Sequence, residues 1–166
     1  MSDPAPDNRN RLAYALGYLF HPFVIFFIGA YMVLRELPTS EVLRWTLLTA
    51  ALTIPPTFIM MRRVRWGGRY LYQRETRGPV YAVAWLSLVF CGGVLALLDA
   101  PLRLLACVVA GAVWVPLQAL VNARYTKISG HAGFSMAVGV GLLLLGELDT
   151  PLLLVAALAV ILLTAW

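Results

Sequence analysis

Six stretches of this chain, at 12–34, 43–61, 79–98, 101–121, 131–146 and 151–166, are apolar and nearly free of charge. Short polar segments separate them. A helix needs about 20 apolar residues to cross a bilayer, and several of these stretches reach that length. The composition agrees: 61% of the 166 residues are hydrophobic and 13% are charged, against about 45–50% and about 25% in a soluble domain. The expected fold is all-α, an integral membrane bundle of six transmembrane helices with short loops. Residues 1–11 are polar, contain Pro4 and Pro6, and read as a disordered tail. Residues 12–166 read as one transmembrane domain. No cleavable signal peptide is expected, because the first apolar run is too long for an h-region.

Prolines punctuate the runs. His21-Pro22 interrupts the first and predicts a kink. By count this puts His21 near the middle of the first span, where a neutral ring bonded to a carbonyl freed by the kink is the preferred reading over a functional one. Pro55-Pro56 predicts a kink or break in the second span. Pro79 suits a first helical turn, which needs no amide hydrogen. Asp99-Ala100-Pro101 is short enough to force a helical hairpin between the third and fourth spans. Gly133, Ala137 and Gly141 recur every fourth residue, a small-residue face for close helix packing.

The alternation of spans sorts the charges. Arg9, Arg11, Arg62, Arg63, Arg65, Arg69, Arg74, Arg77, Arg124 and Lys127 fall on one face, against Arg35, Arg44 and Arg103 on the other. Glu36, Glu41, Asp99, Glu147 and Asp149 join the second group. Positive charge marks the cytoplasmic side, so both termini and the loops 62–78 and 122–130 are expected at the cytoplasmic face of the inner membrane. The net charge of +5 is then loop charge beside a bilayer, where anionic lipids are partners. Aromatic-basic interleaving is absent from the sequence, so no nucleic-acid partner is expected. Cys91 and Cys107 both lie in apolar runs and read as small buried residues. With two histidines in the chain and no ligand spacing, no metal and no cofactor are expected.

The cytoplasmic-facing loops carry residues suited to a phosphate. Phosphate oxygens take charge-assisted hydrogen bonds from guanidinium and ammonium groups, which Arg69, Arg74, Arg77 and Lys127 can supply. They also accept backbone amides at a helix N-terminus. Ser129-Gly130-His131 opens the fifth span. Gly130 permits close approach of the backbone, the Ser129 hydroxyl can donate or cap, and His131 can give a proton to a leaving alkoxide.

Ser129-Gly130-His131 resembles the second motif, Pro-Ser-Gly-His, of the type-2 phosphatidic acid phosphatase superfamily, with Ile128 in the proline's place. That superfamily shares its fold with the vanadium haloperoxidases. Arg77-Gly78-Pro79 resembles the Arg-Pro of the first motif with one residue inserted, and Arg69 or Arg74 stands where the family has lysine. The resemblance covers roughly residues 60–166. It implies a metal-independent phosphatase acting on a lipid phosphate or an isoprenoid diphosphate through a phosphohistidine. Phosphate binding falls to Arg69, Arg77, Lys127 and the Ser129-Gly130 backbone, and the general acid is His131. The third motif, which brings the nucleophilic histidine, is not found up to Trp166. By family spacing it would begin just beyond, so the chain is expected to be part of a longer phosphatase.

A plainer reading stands beside this one. The arginines of 62–77 can be a loop obeying the positive-inside rule, Ser129 an N-cap, Gly130 a turn residue and Lys127 a snorkelling anchor. The alternative function is then a non-catalytic six-helix protein that binds anionic headgroups or a partner membrane protein. A small transporter is weaker still, since His21 is the sole ionisable group deep in a span by count.

Overall fold

The computed structural model describes residues 19–66, 77–125 and 130–165. Among them the regular elements are all helices: α1 (Pro22–Leu34), α2 (Thr39–Trp66), α3 (Gly78–Leu97), α4 (Leu102–Arg124), α5 (Gly130–Leu144) and α6 (Pro151–Ala165). The all-α expectation holds. The expectation of six full crossings does not. Three helices, over Thr39–Val64, Gly78–Leu97 and Leu102–Arg124, are long and apolar enough to cross a membrane. The apolar parts of α1, α5 and α6 are shorter, at 10–17 residues. The 13 residues of α1 span about 20 Å at about 1.5 Å per residue, against about 30 Å of hydrocarbon.

The reason is local. His21 has ψ 139°, outside the helical region, and acts as the N-cap of α1. Its Nδ1 accepts the Phe23 amide at 3.3 Å. Its carbonyl accepts the amides of Val24 and Ile25 at 2.8 and 3.2 Å. Pro22, at the first helical position, lacks the amide that would otherwise be orphaned. The His-Pro pair therefore begins α1, and Leu19 just before it is also helical; the rest of the first apolar run lies outside the described residues. Pro55 and Pro56 have the opposite outcome: α2 runs through both to Trp66. In the same helix the hydroxyls of Thr49, Thr53 and Thr57 each donate to the carbonyl four residues back, at 2.7–2.9 Å. These bonds satisfy the hydroxyls inside the helix, as an apolar medium requires.

Two helix ends share one C-cap geometry. After α3, Asp99 takes φ 52°, and the amides of Asp99 and Ala100 bond the carbonyls of Ala96 and Leu95. After α5, Gly146 takes φ 74°, and the amides of Gly146 and Glu147 bond the carbonyls of Leu143 and Leu142 at 3.1 and 2.9 Å. Both are Schellman motifs, in which a left-handed residue turns the chain back over the last helical turn. The first closes the α3–α4 hairpin expected from Asp99-Ala100-Pro101.

Helix α3 packs most extensively on α4 and α2; α1 touches α2, α4 and α5; α6 leans on α5. The buried core joins Val33, Leu34, Trp45, Cys91, Leu95, Leu104, Val108 and Leu142. All lie toward the end of the bundle where α1, α3 and α5 finish. Elsewhere polarity is inverted relative to a soluble protein. Thr46, Thr49, Ser87, Gln118, Asn122 and Ser135 are buried, while Leu97, Leu102 and Leu144 are 78–85% exposed. An apolar exterior over a partly polar interior suits a lipid surround. Gly133 meets a neighbour as the small-residue face predicts, but Gly141 faces open space.

Candidate functional site

The helices alternate in direction, so their ends form two polar layers. In the first, the start of α3 meets the end of α4. Arg77 precedes α3, and its Nη1 donates to Asn122 Oδ1 at 3.4 Å, a long bond between residues 45 positions apart. Asn122 is buried and stands in the last turn of α4. Gln118, one turn deeper on the same face of α4, is also buried. Its amide lies against Gly133 in the second turn of α5, with Cδ 2.8 Å from the place a Gly133 Cβ would occupy. A side chain at 133 would evict that amide. Gly130 and His131 form the first turn of α5.

The structure thus brings Arg77 to the last turn of α4. Arg69, Arg74, Lys127 and Ser129 lie outside the described residues. At this end the described charged side chains are Arg62, Arg63, Arg77 and Arg124. Gln118 and Asn122 went unpredicted. Their spacing of four, across the end of the fourth apolar run, was the available signal.

The second layer was also missed. Glu147 is 3% exposed. Its Oε1 accepts from Arg103 Nη1 at 2.9 Å, and its Oε2 lies 3.3 Å from Arg35 Nη2. Arg103 also reaches Glu36 at 3.6 Å. The C-cap after α5 explains the burial. Glu147 occupies the position that folds back onto the helix end, where an apolar residue is common. Two carboxylates and two guanidinium groups here balance in charge. The layer ties the ends of α1, α4 and α5 together and presents no unpaired ion to a ligand.

Both layers confirm the alternation of ends on which the charge sorting rested. Residues 35, 36, 103 and 147 share one end; 77 and 122 share the other. Comparison of the chain with models of known families, with characterised proteins and with solved structures found no match in any of the three.

Proposed function

We propose that the Arg77 end of the bundle holds the phosphate of a membrane lipid at the cytoplasmic interface, as the resemblance of 129–131 to the type-2 phosphatidic acid phosphatases implies. The observation that carries this reading is the Arg77–Asn122 bond. It sets Arg77 against the last turn of α4, the helix that precedes Gly130 and His131 in the chain. The field there is positive by sequence count, ten basic residues against Asp3, Asp7 and Glu75, and such a field concentrates anions. In this reading Arg77 binds phosphate oxygens, the α5 N-terminal amides seat them, and His131 protonates the departing alkoxide. Arg69, Arg74, Lys127 and Ser129 complete the seat. The shorter apolar helices α1, α5 and α6 lie in the membrane beside the three that are long enough to cross it. The Arg77 end faces the cytoplasm under the positive-inside rule.

The second reading is binding without turnover, a protein that holds anionic headgroups or a partner membrane protein through the same arginines.

Reconstitution in vesicles of phosphatidylcholine with phosphatidic acid, or with an isoprenoid diphosphate, separates the two. Phosphate release that His131→Ala abolishes supports the enzyme. Selective binding of phosphatidic acid without release, lost in Arg77→Ala, supports the binder. Neither release nor selective binding overturns both.

A further inference from the structure

Helix α2 carries two prolines well inside its apolar run, and their effect falls on the carbonyls one turn back. Pro55 and Pro56 lie within the helix and have no amide hydrogen, so the carbonyls of Ala51 and Leu52 lose the donors an α-helix would give them. The nearby hydroxyls do not take over. Thr49, Thr53 and Thr57 donate to the carbonyls of Trp45, Thr49 and Thr53. A helical carbonyl points at the residue four places on, which for Ala51 is Pro55. Both residues are exposed, so this carbonyl opens toward lipid, where water does not reach it.

Helix α3 carries the opposite case. Trp85 is 41% exposed, and its indole N–H has no acceptor among the described residues. It stands seven residues past Gly78, the first residue of α3, about 10 Å along the helix at about 1.5 Å per residue. Tryptophan in membrane proteins is enriched nearer the interface, where the N–H stays wet.

The unmet donor and the unmet acceptor share a depth. The side chains of Thr49 and Cys91 meet between α2 and α3. One turn away on each helix, Trp45 and Leu95 belong to the same buried core. In the other direction Pro55 is six residues from Thr49, and Trp85 is six from Cys91, so in antiparallel helices the two stand at one level. The outer side of this helix pair also leaves room for a close neighbour. Ala51 and Pro55 are compact, and a Cβ on Gly93, about two turns from Trp85, would meet nothing within 4 Å. Acyl chains bring neither donor nor acceptor to this depth. A second copy inserted in the same direction brings both, because a twofold axis along the membrane normal keeps every group at its own depth.

We propose that two copies of this chain pair in the membrane through the outer faces of α2 and α3, each Trp85 donating its indole N–H to the carbonyl of the partner's Ala51. The pairing is isologous and makes the same bond twice. Each bond satisfies one donor and one acceptor that lipid leaves unmet. It does not depend on what the Arg77 end binds.

The test follows Förster transfer between donor-labelled and acceptor-labelled copies of the full chain in phosphatidylcholine vesicles, over a range of protein-to-lipid ratios. Wild type is compared with Trp85→Phe, Pro55→Ala and the double variant. Val155→Ala, on the exposed side of α6, is the control. Phenylalanine keeps an apolar ring without the N–H. Alanine at 55 returns a helical donor to the Ala51 carbonyl, and as the better helix former it should not lower the melting temperature. Each substitution removes both symmetry-related bonds, so each should raise the dissociation constant of the pair about tenfold. The double variant should be no weaker than the weaker single, since both remove the same bond, and Val155→Ala should pair as wild type. A monomer at every ratio overturns the inference, and lipid or a different membrane protein then covers the face. Pairing that either Trp85→Phe or Pro55→Ala leaves at wild-type strength also overturns it. So does a double variant whose losses add, because the two groups then do not bond each other.

Discussion

Arg103 Nη1 stands 2.9 Å from Glu147 Oε1, and the Glu147 side chain is 4% exposed while that of Arg103 is 48% exposed. The pair is asymmetric: a carboxylate withdrawn from solvent, held by guanidinium groups that reach in from the rim. Removing one partner of a buried ion pair typically costs about 3–5 kcal/mol, chiefly because the other charge is stranded. Here the direction of the substitution matters.

Arg103→Ala leaves Glu147 buried with Arg35 as its remaining charged partner among the described residues. Glu147→Ala leaves two arginines that can turn outward. Arg103→Ala and Arg35→Ala together should therefore destabilise the fold more than Glu147→Ala, by about 1 kcal/mol or more. Arg44→Ala, which breaks the exposed 3.5 Å pair with Glu41, should cost less than about 0.5 kcal/mol. Reversible unfolding in detergent micelles measures all three. Equal losses for the buried and exposed pairs would show that the Glu147 layer contributes nothing special.

Gly146 takes φ 74° at the end of α5, a region that costs other L-residues about 1–2 kcal/mol. Gly146→Ala should lower stability by about that much. It should also loosen the turn that buries Glu147, so its effect should shrink in a Glu147→Ala background. A double-mutant cycle on the same unfolding transition reads this coupling. Simple additivity would mean the turn and the ion pair are independent.

Gly133 and Gly141 should respond in opposite ways. A Cβ at 133 meets the Gln118 amide, whereas one at 141 meets nothing within 4 Å. Gly133→Val should destabilise by about 1–3 kcal/mol through overpacking. Gly141→Ala should be neutral or stabilising by up to about 1 kcal/mol, as expected when alanine replaces glycine within a helix. Melting temperatures of the two variants check this, and a destabilising Gly141→Ala would contradict the open face.

Orientation is accessible by labelling. In a background of Cys91→Ala and Cys107→Ala, single cysteines at Arg124 and Asp149 mark the two ends. With the Arg77 end cytoplasmic, a membrane-impermeant maleimide should label Asp149→Cys in cells whose inner membrane is intact. It should reach Arg124→Cys only after permeabilisation. The reverse pattern would invert the sidedness and remove the cytoplasmic placement of the phosphate seat.

The helices were legible in the sequence because apolar runs bounded by proline and charge are local signals. The expected third span, 79–98, and the observed α3, Gly78–Leu97, differ by one residue at each end. The hairpin after it followed from three residues. The sorting of charges to two ends followed from counting spans, since each crossing reverses the chain.

The effect of a proline depends on its neighbours. Pro22 begins a helix because His21 supplies a cap, while Pro55 and Pro56 remain inside one. Nothing in the bare run of apolar residues separates these outcomes. The interior polar groups depend on contacts between distant helices. Glu147 reads as one more charge in a turn until Arg35 and Arg103 close over it, and Gln118 reads as an interruption until Gly133 makes room for it. Sequence alone determined where the chain is apolar and that Arg35, Glu36, Arg103 and Glu147 share the end opposite Arg77, because those follow from local composition and parity. Which polar groups are buried, and against what, was decided by helix register in the packed bundle, where one turn carries a side chain about 5.4 Å along the axis to different neighbours.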